Sequence, residues 1–118
     1  IHGVRWTSEL AYHDYIAQDL LDHEYLGDEI RQKLIYYPTV TRESFRNEGR
    51  QTDLIRSGKL YADLGITPLD PATDRAMICG STAMLKEISA MLDGYGFQVS
   101  PHIGEMGDYV IERAFVDQ

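Results

Sequence analysis

Two arginines, Arg42 and Arg50, flank a polar loop that follows a predicted strand, and together they could bind a phosphate group. A guanidinium group matches the geometry of phosphate oxygens and can donate two parallel hydrogen bonds to them. The hydroxyl groups of Thr41 and Ser44 would add hydrogen-bond donors to the same site. The alternative, which the usual exposure of arginine favours, is that both arginines are simply solvated in a loop.

The turn Cys79-Gly80-Ser81 joins a short apolar strand to a long amphipathic helix. Gly80 would let a planar ring or a pyrophosphate approach the backbone, and the N-terminus of the following helix favours negative charge. The alternative is that Cys79 is an inert, buried, small hydrophobic residue. Glu112 lies in the last predicted strand and points either toward a site or toward water, and water is the default interpretation.

Other common kinds of catalytic site have no signature in this chain. The four histidines do not form a metal-binding spacing, so we expect no metal. The chain also contains neither a Gly-x-Ser-x-Gly nucleophile turn nor a P-loop. The candidate chemistry therefore rests on the arginines and on the Cys-Gly-Ser turn.

The elements that position these residues are indicated by the pattern of apolar, turn and capping residues. Strands are predicted over residues 1–4, 34–41, 76–79 and 108–115, and helices over about 8–23, 28–33, 52–56 and 82–95. This alternation predicts a parallel sheet with helices on its faces. Arg5, Arg42 and Cys79 then follow the carboxyl ends of strands, which is where such sheets bind ligands.

Composition and charge limit the class of protein. The chain has 118 residues, enough for one domain at most, and its 19 acidic and 11 basic residues give a net charge of −8. That charge argues against a general nucleic-acid binder. There is no apolar run long enough to span a membrane and no visible signal peptide. One cysteine fits a reducing, cytoplasmic setting.

Taken together, these segments resemble the C-terminal portion of the bacterial ferredoxin(flavodoxin)–NADP(+) reductases, in the subgroup with an extended tail. The resemblance runs nearly end to end and implies an α/β fold: a parallel, doubly wound, Rossmann-like NADP-binding domain. It rests on His2-Gly3-Val4-Arg5, Leu34-Ile35-Tyr36-Tyr37-Pro38-Thr39-Val40-Thr41-Arg42-Glu43, Gly49-Arg50, Asp53-Leu54-Ile55, Met77-Ile78-Cys79-Gly80-Ser81 and Glu112-Arg113-Ala114-Phe115-Val116.

The resemblance implies roles on the NADP(H) side of a site. Arg42 and Arg50 would bind the 2′-phosphate, with Thr41 and Ser44 in the same loop, and Arg5 would lie near the phosphates of the dinucleotide. Cys79 would lie beside the nicotinamide as a catalytic residue, with Gly80 and Ser81 contacting the cofactor.

The resemblance also implies an FAD side of the site and a protein partner. Glu112 would be an electrostatic or proton-handling catalytic group, and the tail residues Ala114, Phe115 and Val116 would contact FAD. Electrons would pass between NADP(H) and ferredoxin or flavodoxin by hydride transfer between nicotinamide and flavin.

Two parts of such a reductase are expected to be missing from residues 1–118: the N-terminal FAD-binding β-barrel domain and the first strand of the NADP-binding domain. In the usual order 3-2-1-4-5, that strand lies between the segments 1–4 and 76–79. We therefore expect the chain to be a fragment that is inactive alone. The alternatives are a non-catalytic nucleotide-binding module and a structural domain with solvated arginines.

Overall fold

The computed structural model describes residues 1–102 and 104–113. The chain divides into two compact units, Ile1–Ser57 and Gly58–Gln118. Each unit carries one two-stranded parallel sheet. The paired strands are neighbours in the order 3-2-1-4-5, as expected.

The first unit is built on β1 (His2–Val4) and β2 (Pro38–Val40), which pair in parallel with His2 opposite Pro38 and Val4 opposite Val40. Pro38 is the first residue of β2, a position where a missing backbone donor is tolerated. All three residues of β2 are buried. Two helices complete the unit: α1 (Gly27–Lys33) and α2 (Gln51–Arg56).

The predicted continuous helix over residues 8–23 is wrong, and only residues 13–19 of it are α- or π-helical. This segment contains a single 3-10 turn at Thr7–Glu9 and a π-helical turn at Tyr15–Asp19, in which the Leu20 amide donates to the Tyr15 carbonyl at 2.8 Å. Between them Tyr12 has φ of +62°, a left-handed conformation that a continuous right-handed helix cannot contain. Ser8 lies inside the 3-10 turn and is not the helix cap that its residue type suggests.

The second unit contains α3 (Lys59–Leu64), β3 (Ala76–Cys79), α4 (Thr82–Gly94) and β4 (Tyr109–Glu112). Strands β3 and β4 pair in parallel from Ala76 opposite Tyr109 to Cys79 opposite Glu112. Side chains buried in this unit include Ile78 of β3, Tyr109 of β4, and Ile88, Met91 and Leu92 of α4. Helix α3 was not predicted.

Helix α4 has a well-defined beginning and end. Its N-cap is Ser81, whose hydroxyl accepts a hydrogen bond from the Met84 amide at 3.3 Å. At the other end Gly96 has φ of +88°. The Gly96 amide donates to the Asp93 carbonyl and the Phe97 amide donates to the Leu92 carbonyl, each at 3.0 Å. This is a Schellman motif, which satisfies carbonyls that the helix itself leaves unpaired.

Several predicted boundaries are too wide. The strand expected over 34–41 is limited to β2, and the strand expected over 108–115 is limited to β4 within the described part. Ala114, Phe115 and Val116 lie outside the described residues. Across the residues that the structure describes, none of the helices is long and apolar enough to cross a membrane.

Candidate functional site

The loops that follow β1 and β2 bring Arg5 and Arg42 together. Beyond the last strand pair, the Thr41 amide donates to the Val4 carbonyl at 3.1 Å and the Arg42 amide donates to the Arg5 carbonyl at 2.9 Å. The β1–β2 ladder therefore extends into both loops, and two of the predicted phosphate-binding arginines are joined through their main chains. Both residues are exposed, so their guanidinium groups can reach a ligand in solvent.

Arg50 returns to the same end of β2. The Gly49 amide donates to the Val40 carbonyl at 3.0 Å, and the Thr39 hydroxyl donates to the Gly49 carbonyl at 2.7 Å. Gly49 has φ of +126°, a conformation that L side chains rarely adopt. Arg50 follows this anchored glycine directly, so the loop between the two arginines is closed at β2. We refer to Arg5, Arg42 and Arg50 as the arginine edge.

Two carboxylates organise the loops at the arginine edge. Glu9 accepts hydrogen bonds from the Arg5 guanidinium at 2.8 Å and from the backbone amides of Arg5 and Trp6, each at 3.0 Å. The hydrogen bond from the Arg5 side chain is the main cause that lowers the pKa of Glu9. Glu43, the residue after Arg42, accepts a hydrogen bond from the Thr7 backbone amide in the other loop.

These two acids have different sequence signals. Glu9 was not predicted as part of the site, although its position four residues after Arg5 could have indicated the ion pair. Glu43 and Thr7 are separated by 36 positions, so no local pattern pointed to their contact.

Ser44 and Thr41 play smaller parts in the geometry. The Ser44 hydroxyl donates to Glu48 at 3.2 Å, and the same carboxylate oxygen accepts from the Phe45 amide at 3.1 Å. Ser44 is thus engaged inside its own loop, where it shapes the turn between Arg42 and Arg50. Thr41 is exposed beside Arg42.

A cavity of about 400 Å³ lies in the first unit next to these loops. Its walls include Thr7 from the loop after β1, Phe45 from the loop after β2, and Tyr12, His13 and Tyr15. Tyr12, the residue with the left-handed conformation, is part of this wall. The cavity adds an aromatic surface to a region that otherwise presents arginines.

The second unit brings Cys79 and Glu112 side by side. They are partners in the β3–β4 register and stand at the carboxyl ends of their strands. In a parallel pair, residues at the same level direct their side chains to the same face. Cys79 is exposed, so the alternative that it is a buried core residue is wrong. Glu112 is also exposed.

The Gly80-Ser81 turn joins β3 to α4, as predicted. A Cβ atom at Gly80 would stand 2.0 Å from the Met84 sulfur, so a larger residue there would displace that side chain. The Ser81 hydroxyl is engaged as the N-cap of α4. Only the backbone of Ser81 therefore remains to contact a ligand at this turn. Across residues 1–102 and 104–113, no group of three or more His, Cys, Asp or Glu side chains is placed to hold a metal ion.

The chain has relatives with which it aligns from end to end. It is 64% identical over 118 residues to the ferredoxin–NADP reductase of Pseudomonas aeruginosa, matching all of this chain and 46% of the relative. It is 41% identical over 118 residues to the flavodoxin/ferredoxin–NADP reductase of Rhodobacter capsulatus, matching 43% of that protein. This chain is a relative of the ferredoxin–NADP reductases. No protein-family model matches it.

The resemblance to ferredoxin–NADP reductases expected from the sequence is confirmed, and the fold agrees with it. The crystal structure of a ferredoxin NADP+ reductase from Neisseria gonorrhoeae with bound FAD and NADP matches 97% of this chain with a TM-score of 0.75. The two sequences are 23% identical, so this likeness establishes the fold. The chain spans somewhat under half the length of the ferredoxin–NADP reductases it matches.

Proposed function

We propose that these 118 residues are the NADP-binding part of an FAD-dependent reductase that moves electrons between NADP(H) and ferredoxin or flavodoxin. The proposal rests on the relatedness to ferredoxin–NADP reductases. The observation that carries the residue roles is the arginine edge, where the Arg42 amide and the Arg5 carbonyl are 2.9 Å apart. The FAD-binding β-barrel domain and the first strand would belong to the same longer polypeptide.

The arginine edge suits the phosphates of NADP(H). Arg42 and Arg50, at the two ends of a closed loop, would hold the 2′-phosphate with their guanidinium groups, which can each donate two hydrogen bonds. Arg5 would contact the phosphates that join the two nucleotides. The hydroxyl of Thr41 is a further donor beside Arg42. The chemistry of this set fits a phosphate and disfavours a cation.

The Cys-Gly-Ser turn would receive the nicotinamide, and the second unit supplies its surroundings. When bound, the nicotinamide and the flavin supply the electron chemistry by hydride transfer. Cys79 would orient the nicotinamide from the end of β3, and Gly80 would contact the cofactor through its backbone. Ser81 would contact the cofactor through the turn that it caps. Glu112, beside Cys79, would hold a negative charge or a proton on its carboxylate at the edge of the flavin.

The remaining roles are carried over from the resemblance. Ala114, Phe115 and Val116 would contact FAD. Ser44 would support the 2′-phosphate loop. A cytoplasmic location and the absence of nucleic-acid partners stay predictions that rest on the single cysteine and the net charge of −8.

Replacing the arginines tests the proposal in the full-length polypeptide that contains this chain. Each of Arg42→Ala and Arg50→Ala should raise the KM for NADPH about 10- to 100-fold, because a charge-assisted hydrogen bond contributes about 1.5–3 kcal/mol. The KM for NADH should change less than about twofold, since NADH has no 2′-phosphate. The measurement is steady-state reduction of an electron acceptor with each nucleotide.

Lys33→Ala is the matched control, because it removes one positive charge from an exposed ion pair on α1. Its NADPH and NADH constants should both stay unchanged. Equal losses of NADPH and NADH affinity in the arginine variants would refute the 2′-phosphate assignment. A protein that binds NADPH but passes no electrons would instead support the alternative of a non-catalytic nucleotide-binding module.

A further inference from the structure

The loops that carry Arg5 and Arg42 are tied together at two successive points. The first is the hydrogen bond from the Arg42 amide to the Arg5 carbonyl at 2.9 Å. The second involves the next residue along the chain, because the Glu43 carboxylate accepts a hydrogen bond from the Thr7 amide. The backbone of Arg42 is therefore held on both sides, and its distance from Arg5 is set by these contacts.

The contact between Glu43 and Thr7 is local to the two loops and involves exposed residues. Hydrogen bonds from the Thr7 side chain and from the Thr7 backbone lower the pKa of Glu43, so the carboxylate stays ionised while it holds the loop. An ionised acid beside a phosphate-binding arginine is unfavourable for the phosphate, since like charges repel. Its presence therefore needs a reason other than direct ligand binding.

We propose that Glu43 is a positioning residue for NADP(H) recognition: it fastens the loop of Arg42 to the loop of Arg5 and so fixes the spacing of the phosphate-binding arginines. This inference rests on the proposed function. It assigns Glu43 no contact with the nucleotide. A misplaced arginine loses hydrogen bonds to the phosphate, so the tie should affect NADPH far more than NADH.

Two substitutions separate positioning from charge. Glu43→Gln keeps an oxygen that can accept from the Thr7 amide but removes the negative charge, whereas Glu43→Ala removes both. Positioning predicts that Glu43→Ala raises the KM for NADPH about fivefold, the factor that corresponds to loss of one hydrogen bond. Glu43→Gln should leave that KM unchanged or lower it, and kcat at saturation should stay the same in both variants.

The charge-matched control is Glu29→Gln, which removes one negative charge from the exposed face of α1 in the same unit. It should leave both nucleotide constants unchanged. All variants are measured in the full-length polypeptide with NADPH and with NADH, and thermal unfolding is recorded in parallel. A merely structural role would lower the unfolding temperature and weaken both nucleotides equally, which would overturn the proposal.

Tighter NADPH binding in both Glu43 variants would also overturn the proposal. If Glu43 acts only through its charge, both Glu43→Ala and Glu43→Gln should tighten NADPH binding by similar factors. Failure of this inference differs from failure of the proposed function. In the first case Arg42→Ala still loses NADPH preference while Glu43→Ala does not, and in the second neither variant changes the ratio of NADPH to NADH affinity.

Discussion

Gly107 stands where a side chain cannot be accommodated, and its replacement by alanine should destabilise the second unit. A Cβ atom at Gly107 would lie 2.5 Å from the Ser100 amide nitrogen and 2.6 Å from the Ser100 Cα. These are backbone atoms, so no rotation of a side chain can relieve the contact. One of the two segments must move.

The movement is opposed by hydrogen bonds on both sides of the contact. The Ser100 amide donates to the Tyr109 carbonyl at 2.8 Å, and the Asp108 amide donates to the Gln98 carbonyl at 2.7 Å. Overpacking costs about 1–3 kcal/mol, and loss of one such hydrogen bond costs about 1 kcal/mol. We therefore expect Gly107→Ala to lower the free energy of unfolding by about 2–4 kcal/mol.

Urea unfolding of the full-length polypeptide, followed by circular dichroism, measures this loss. Gly94→Ala is the matched control, because a Cβ atom there would meet nothing within 4 Å. Gly94 is a helical residue, so alanine should be neutral or stabilise the protein by up to about 1 kcal/mol. Equal midpoints for the two variants would show that the segment 98–100 yields freely, and the reasoning from the close contact would be refuted.

Two further predictions concern the cap of α4 and the acid that holds Arg5. Ser81→Ala should lower the free energy of unfolding by about 1 kcal/mol, whereas Ser81→Asp, which keeps an acceptor, should not; equal urea midpoints for the two would contradict the capping role. The pKa of Glu9 is lowered, chiefly by the hydrogen bond from Arg5, so its contribution to stability is present above about pH 4.5 and is lost as the pH falls further. Glu9→Gln should flatten the dependence of the unfolding free energy on pH below that value, and identical slopes in wild type and variant would contradict it.

The parts of the fold that could be predicted are those in which local signals agree. The apolar stripe through Leu92 and the glycines that follow it both indicated the same helix, and the structure has it as α4. The four short strands were also located, because β-branched and apolar residues lie between turn residues. Their pairing followed from the known order of the resembled fold.

The parts that could not be predicted depend on conformations that composition does not reveal. Ile16 and Leu20 have helical spacing, but the left-handed Tyr12 interrupts any helix that begins near residue 8. Helix α3 was missed because its limits are set by Gly58 and Gly65, both with positive φ. In the sequence, glycines that limit a helix cannot be distinguished from glycines of a loop.

Some contacts of the candidate site could be predicted from the sequence and others could not. The strand ends predicted that Arg5 and Arg42 would follow neighbouring strands, and the main-chain hydrogen bond between them agrees with this. The pairing of Cys79 with Glu112 requires the register of β3 and β4, and strand limits that are too wide leave that register open. The contact of Glu43 with Thr7 arises only when two loops meet.

The hydrogen bond from the Arg42 amide to the Arg5 carbonyl uses no side-chain atom. Any residue other than proline at position 42 could make it, and any residue at position 5 could accept it. The scaffold of this edge is thus separable from its ligand preference. Evolution or a protein engineer could exchange Arg42, and so change the preference for one dinucleotide over another, while the backbone that presents this residue stays in place.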